Sequence, residues 1–115
     1  MARSPGAIKG YHAHVYYTAE TRDAAARVRR GLASEFDVQL GRWHDEPVGP
    51  HLAPMYQVVF TPEAFGKIVP WLMLNREGLS VLVHPSTGDS YRDHLEHALW
   101  LGERLELKES VLRRG

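Results

Sequence analysis

The chain has 115 residues, room for one domain and not for two. Apolar residues make up 43% and charged residues 24%, and fourteen Lys and Arg balance fourteen Asp and Glu, which excludes the basic footprint of a nucleic-acid binder. Cysteine is absent, which removes disulfides, thiolate metal sites and cysteine nucleophiles, and no apolar run approaches the roughly 18 residues that a membrane helix needs.

Taken in chain order, residues 1–10 are polar with Gly and Pro and are expected to be flexible. They carry no apolar signal core, so a cytoplasmic location is expected. Tyr11 to Thr18 is aromatic and β-branched and reads as a strand. Thr21 to Phe36 reads as a helix capped by Thr21, with Ala25, Val28, Leu32 and Phe36 as its apolar stripe. Asp37 to Trp43 alternates as a second strand. His44 to Pro54 holds three prolines and is a loop, and Met55 to Thr61 is a third strand. Thr61-Pro62-Glu63 starts a second helix that Gly78 ends, with Pro70 expected to kink or split it. Leu79 to His84 is a fourth strand, and Pro85 to Asp89 a turn. A third helix, Tyr91 to Leu101, is capped by Ser90 and closed by Gly102. The tail from Glu103 to Gly115 is charged, with Arg104 to Leu107 a candidate edge strand.

This order is that of an α+β, ferredoxin-like βαββαβ antiparallel sheet, strand order 4-1-3-2, with an extra C-terminal helix. Both long helices cover one face. The other face is expected to be open, which argues for a homodimer through it.

Alternation along the strands decides what lies on that face. Ala13 and Val15 point to the helices, so His12, His14 and Tyr16 point away. Gln57 and His84 join them from the third and fourth strands. Strand order places His84 beside the start of the first strand, so His12, His14 and His84 are candidate ligands of one metal ion. His44 and His51 reach this cluster only if their loop folds back across the open face, or if a second subunit supplies them. His94 and His97 sit one turn apart on the third helix, as packing residues or as supporting, proton-shuttling ones. The chain holds no dinucleotide or phosphate-loop glycine motif, no His-Glu-x-x-His and no Gly-x-Ser-x-Gly. Metal chemistry is what the residues leave.

The stretches Tyr11-His12-Ala13-His14-Val15-Tyr16, Trp43-His44, Pro47-Val48-Gly49-Pro50-His51 and Met55-Tyr56-Gln57-Val58 resemble the DOPA 4,5-dioxygenase family. So do Trp71 to Arg76, Leu79 to Pro85, Thr87-Gly88-Asp89 and the run from Asp93-His94 to Gly102. One departure is that Leu52 and Ala53 stand between His51 and Pro54. The resemblance implies a non-haem Fe(II) extradiol dioxygenase that opens the ring of a catechol, such as DOPA or a related catecholic acid, with both atoms of O2. Neutral imidazoles suit such an iron, because they leave its charge available to a catecholate. They suit zinc equally, as a bound surrogate. Three histidines without a carboxylate depart from the usual two-histidine, one-carboxylate site. Either the site is all-histidine, or Asp45, Glu46 or Asp89 swings in from a loop. His44 or His51 is the candidate base for a catechol hydroxyl. Tyr16, Gln57 and Arg76 are the candidate substrate contacts. The alternative function is a non-catalytic homodimeric module that binds metal or a small ligand on the sheet face.

Overall fold

A computed structural model of the chain describes residues 1–113; the last two residues of the charged tail, Arg114 and Gly115, lie outside the described residues. Five strands form one antiparallel sheet: β1 (Gly10–Tyr16), β2 (Gln39–Leu40), β3 (Met55–Phe60), β4 (Val81–Ser86) and β5 (Leu99–Leu101). Their order is β2-β3-β1-β4-β5. The expected 4-1-3-2 arrangement is therefore present, with β5 added outside β4. The helices are α1 (Arg22–Glu35), α2 (Phe65–Asn75), α3 (Ser90–Leu95) and α4 (Glu109–Leu112). No helix among the described residues is long and apolar enough to cross a membrane.

β1 is the central strand, and its pleat divides the molecule. Ala13 and Val15 are fully buried against α1 and α2, with Val58, Val81, Ala25, Leu32, Ile68 and Leu72 in the same core. Each Val, Leu or Ile side chain removed from water contributes about 1.5–3 kcal/mol. Tyr56 is also fully buried, and its hydroxyl donates to the Ala25 carbonyl at 2.8 Å, tying β3 to α1. The two helices thus hold one face of β1 fixed, and the opposite set of side chains has no choice of direction.

Several sequence expectations are corrected. Thr21 makes no capping bond to α1; its hydroxyl accepts from the Thr18 N–H at 2.8 Å instead. Pro70 neither splits α2 nor ends it. Pro70 and Gly66, one turn before it, are both exposed, so the carbonyl that proline leaves unpaired is solvated. The second strand is two residues long rather than seven. Pairing lapses after Gly41, where Trp43 turns to the helix layer beneath the Arg22 guanidinium, 4.1 Å from its ring centre. It resumes as a single bridge, His44 to Met55.

The largest difference is at residues 91–101. The helix ends at Leu95, with Asp89 rather than Ser90 as its cap, and Leu99–Leu101 pairs with β4 as an edge strand. Leu99, Trp100 and Leu101 suit either a helix face or a strand, and the open edge of β4 decides for the strand. Residues 104–107 contribute only a bridge from Leu107 to His51. This strand and bridge also cover the face that was expected to be bare. Tyr16, Met55 and Leu82 are buried there beneath Ala53, Ala98, Trp100, Leu105 and Leu107. Covering this part of the face therefore no longer argues for a second chain.

Gly102 turns the chain out of β5 at φ 78°, and a Cβ there would stand 2.6 Å from Arg76 Nη1 and 3.3 Å from the Leu79 carbonyl. Gly102→Ala is expected to lower stability by at least about 1–2 kcal/mol, the cost of the left-handed conformation alone. Gly66→Ala, in open space on a helix, is expected to be neutral or stabilising by up to about 1 kcal/mol. Urea midpoints of the two variants measure both effects, and equal midpoints would refute the assignment of strain to residue 102.

Candidate metal centre

Five histidine rings meet on the covered face of the sheet. The register sets His12 directly opposite His84, and His14 between Gln57 and Leu82. The loop after β2 does fold back. Its His51 is buried, held by the backbone bridge to Leu107 and by its own N–H to the Val48 carbonyl at 3.1 Å. The fifth ring is His94 on α3, whose centre lies 4.0 Å from that of His84 and 6.0 Å from those of His14 and His51.

Two sets of three converge closely enough to hold an ion. The ligand nitrogens of His12, His14 and His84 all lie within 4.8 Å of one another, and so do those of His14, His51 and His94. His14 belongs to both. Its Nε2 is 3.1 Å from the Nε2 of His84. Two nitrogens each about 2.1 Å from one ion, at about 90° to each other, stand about 3.0 Å apart, so this spacing fits a shared cation. The other nitrogen of His14, Nδ1, is buried without any hydrogen-bond partner. Such an atom is costly unless something completes it.

The tautomers are constrained from outside the cluster. His84 Nδ1 lies 2.9 Å from the Pro85 carbonyl, and His94 Nδ1 lies 2.8 Å from the Ser90 carbonyl. A carbonyl only accepts, so both rings carry their hydrogen on Nδ1 and, when neutral, leave Nε2 as a lone pair. Carbonyl-oriented imidazoles of this kind are the usual support for metal ligands. His12 has the Gln57 side chain as its hydrogen-bonding neighbour.

Burial keeps these rings neutral. His14 is pushed well below its ordinary value of 6.5 by burial and then by the other rings. His84 falls to about 3 by burial and then the charge of His94, against a weaker rise from the Pro85 carbonyl. His51 falls to about 4 by burial, then by His94 and His44. His12 and His94 are lowered chiefly by burial as well, and the charge of Asp93 partly offsets this. The donors are therefore uncharged lone pairs, and the residues present fit a divalent cation with affinity for nitrogen.

No carboxylate joins the two converging sets among the described residues. Asp45 is taken by the Tyr17 hydroxyl at 2.7 Å and by Arg22 at 3.0 Å. Asp89 caps α3, and Glu46 is exposed. Asp93 is buried and lines a cleft with His12, His84 and His94, and both its oxygens are engaged by Thr87, at 2.8 Å from the backbone N–H and 2.6 Å from the hydroxyl.

The other candidate residues separate. Tyr16 reaches the cluster through its hydroxyl, 2.7 Å from His51 Nδ1, and burial raises its pKa above the ordinary 10. Gln57 reaches it through His12. His44 is half-buried and close enough to influence His51, but it lies outside both converging sets. Arg76 is not brought to the cluster. It caps the end of α2, its guanidinium donating to the Leu79 carbonyl at 2.9 Å. Sequence reasoning left His94 as a packing residue, or as a supporting one, yet its ring lies against three of the other four. The signal was its position four residues after Ser90 on a capped helix, which aims its ring at the sheet only once α3 is docked. His97 lies beyond the end of α3 and meets Arg3 instead, at 3.4 Å.

A family model described as the Dopa 4,5-dioxygenase family matches residues 11–111. Over 120 aligned residues, the chain is 38% identical to an uncharacterised 21.2 kDa protein of Botryotinia fuckeliana, covering 93% of this chain and 66% of that protein. It is 34% identical over 110 residues to a DOPA 4,5-dioxygenase of Amanita muscaria, covering 87% and 48% respectively. The chain thus spans between about half and two thirds of the length of these curated relatives. A solved structure from Nostoc punctiforme, described as a candidate dioxygenase, superposes with a TM-score of 0.96 at 58% identity, covering 96% of both chains.

Because His14, His51 and His84 take up protons less readily in the folded than in the unfolded chain, stability is full above about pH 6.5 and declines as the pH falls toward the folded-state values. Chelator-treated protein is expected to show a lower urea midpoint at pH 5 than at pH 7, with a shallower slope in His84→Gln. A midpoint that does not move over this range would contradict the buried, neutral state of the rings.

Proposed function

Given that the chain belongs to the Dopa 4,5-dioxygenase family, we propose that it is an extradiol dioxygenase in which Fe(II) held by His12, His14 and His84 opens a catechol ring with O2. DOPA or a related catecholic acid is the substrate class. The observation that carries this reading is the convergence of three uncharged imidazole nitrogens within 4.8 Å on a covered sheet face. When bound, the ion supplies Lewis acidity for the catechol oxygens and a position for O2.

The chain's own residues have separable tasks. An all-imidazole set leaves the full charge of the ion to favour a catecholate. Gln57 and the Pro85 carbonyl orient His12 and His84. His51 stands beside the set as the proton acceptor for a catechol hydroxyl. For that role its Nε2 must hold the lone pair, so Nδ1 must carry the hydrogen and donate it to the Tyr16 phenol oxygen. That phenol is un-ionised at neutral pH, and its burial moves ionisation further from that range. Tyr16 is thus a positioning residue for His51. Ala53, Trp100, Leu105 and Leu107 exclude water from this side of the sheet.

Protein loaded anaerobically with Fe(II) is expected to consume O2 and yield a yellow product from DOPA or caffeate. His14→Ala removes the residue common to both converging sets, and is expected to lower metal affinity and turnover at least about 100-fold. His12→Ala and His94→Ala each break only one set, so the larger loss identifies which set holds the ion. Metal content and an oxygen electrode read these outcomes. Stoichiometric iron with no O2 uptake across a catechol panel would instead favour a non-catalytic metal-binding module.

A further inference from the structure

Two clefts flank the histidine cluster, and His94 lines both. One, of about 240 Å³, is walled by His12, His84 and the carboxylates of Asp89 and Asp93. It lies below the roughly 300 Å³ at which small-molecule sites begin, and it carries no cation. The other, of about 430 Å³, lies between α3 and the chain that follows β5, and is lined by His94, Trp100, Arg104, Glu106 and Glu109 among others. Its volume falls within the range of ligand sites.

Trp100 connects this second cleft to the metal centre. It sits opposite Leu82 in the sheet and stacks on Tyr16, ring centres 5.7 Å apart, and the Tyr16 hydroxyl reaches His51. Arg104 is exposed and forms no ion pair among the described residues, although Glu106 and Glu109 line the same cleft; Glu109 is engaged by Arg113 at 3.7 Å. An unpaired guanidinium on a cleft wall is a ready partner for a carboxylate, which it meets with two parallel hydrogen bonds.

Resting on the ring-cleaving reading above, we propose that the substrate's side chain lies in this larger cleft and that Arg104 pairs with its carboxylate, selecting catechols by charge. His94 marks the end nearest the metal centre, and Trp100 offers its face to the ring or its linker. Glu106 and Glu109 penalise a second negative charge at the mouth and complement an ammonium where the side chain carries one.

The test uses zinc-loaded protein, which binds without turnover. Dissociation constants are measured by calorimetry for 3,4-dihydroxyphenylpropanoate, which carries a carboxylate, and for 4-methylcatechol, which does not. The wild type is expected to prefer the first. Arg104→Gln is expected to cut that preference about tenfold, the order of a charge-assisted hydrogen bond. Arg104→Lys is expected to restore part of it, and added salt to weaken it in the wild type. A preference unchanged by Arg104→Gln overturns the assignment while leaving ring cleavage standing if iron-loaded protein still consumes O2. Failure of both catechols to bind overturns the cleft as a substrate site and counts against the ring-cleaving reading as well.

Discussion

The pleat of β1 is the constraint on which the rest of the structure depends. Ala13 and Val15 are locked into the helix-facing core with no exposed surface, so His12, His14 and Tyr16 are held on the other side. A slip of one residue in the pairing of β1 would exchange the two sets. It would bury imidazoles against α1 and α2 and turn Ala13 and Val15 toward the site. The aliphatic core therefore does more than stabilise the sheet. It aims the ligands, and the register with β3 and β4 then sets Gln57, Leu82 and His84 around them.

Closing the face is what turns aligned histidines into a centre with its own chemistry. On an open sheet each ring would keep its hydration and protonate near its ordinary value. Here the loop carrying His51, the docked α3 and β5 with the chain beyond it cover them, and burial is the largest cause of lowering for all five rings. Crowding adds to this, since a proton on any one ring disfavours a proton on the next. The cluster stays uncharged at neutral pH, and it leaves the buried His14 Nδ1 unpartnered. A divalent cation satisfies the crowded ring nitrogens where protonation cannot, because it uses the lone pairs without adding a hydrogen to each ring.

How far the site could be read before folding follows from the range of the interactions involved. The strand pattern of Tyr11 to Tyr16 has period two, and the helical stripe Ala25, Val28, Leu32 has a period near 3.6; both are local and legible. The pairing of His12 with His84 followed from strand order, which in turn followed from the order of elements. Leu99-Trp100-Leu101 was not legible, because the same three residues serve a helix or an edge strand and only the vacant side of β4 decides. The approach of His51 was also out of reach. It depends on a bridge to Leu107, 56 positions away, and nothing within the loop itself encodes that partner. The place of Arg76 was not legible for a related reason: a guanidinium that holds a backbone carbonyl, here that of Leu79, and one that reads a ligand look alike in sequence.

The sharing of His14 has a mechanistic consequence. If one three-histidine set holds the ion, the other retains two rings beside it, His51 and His94 in one case, His12 and His84 in the other. Bases are thus built into the edge of the metal site rather than brought by a separate element. His94 has its Nδ1 committed to the Ser90 carbonyl, and His84 has its own committed to that of Pro85. Neither ring can switch tautomer without losing that bond, so both present a fixed lone pair. His51 differs, because its partner is the Tyr16 hydroxyl, which can donate or accept. Set against His84 and His94, it is the one whose outer partner lets the hydrogen move between the two ring nitrogens. That freedom, and not proximity alone, separates a proton carrier from a ligand in a cluster of chemically identical side chains.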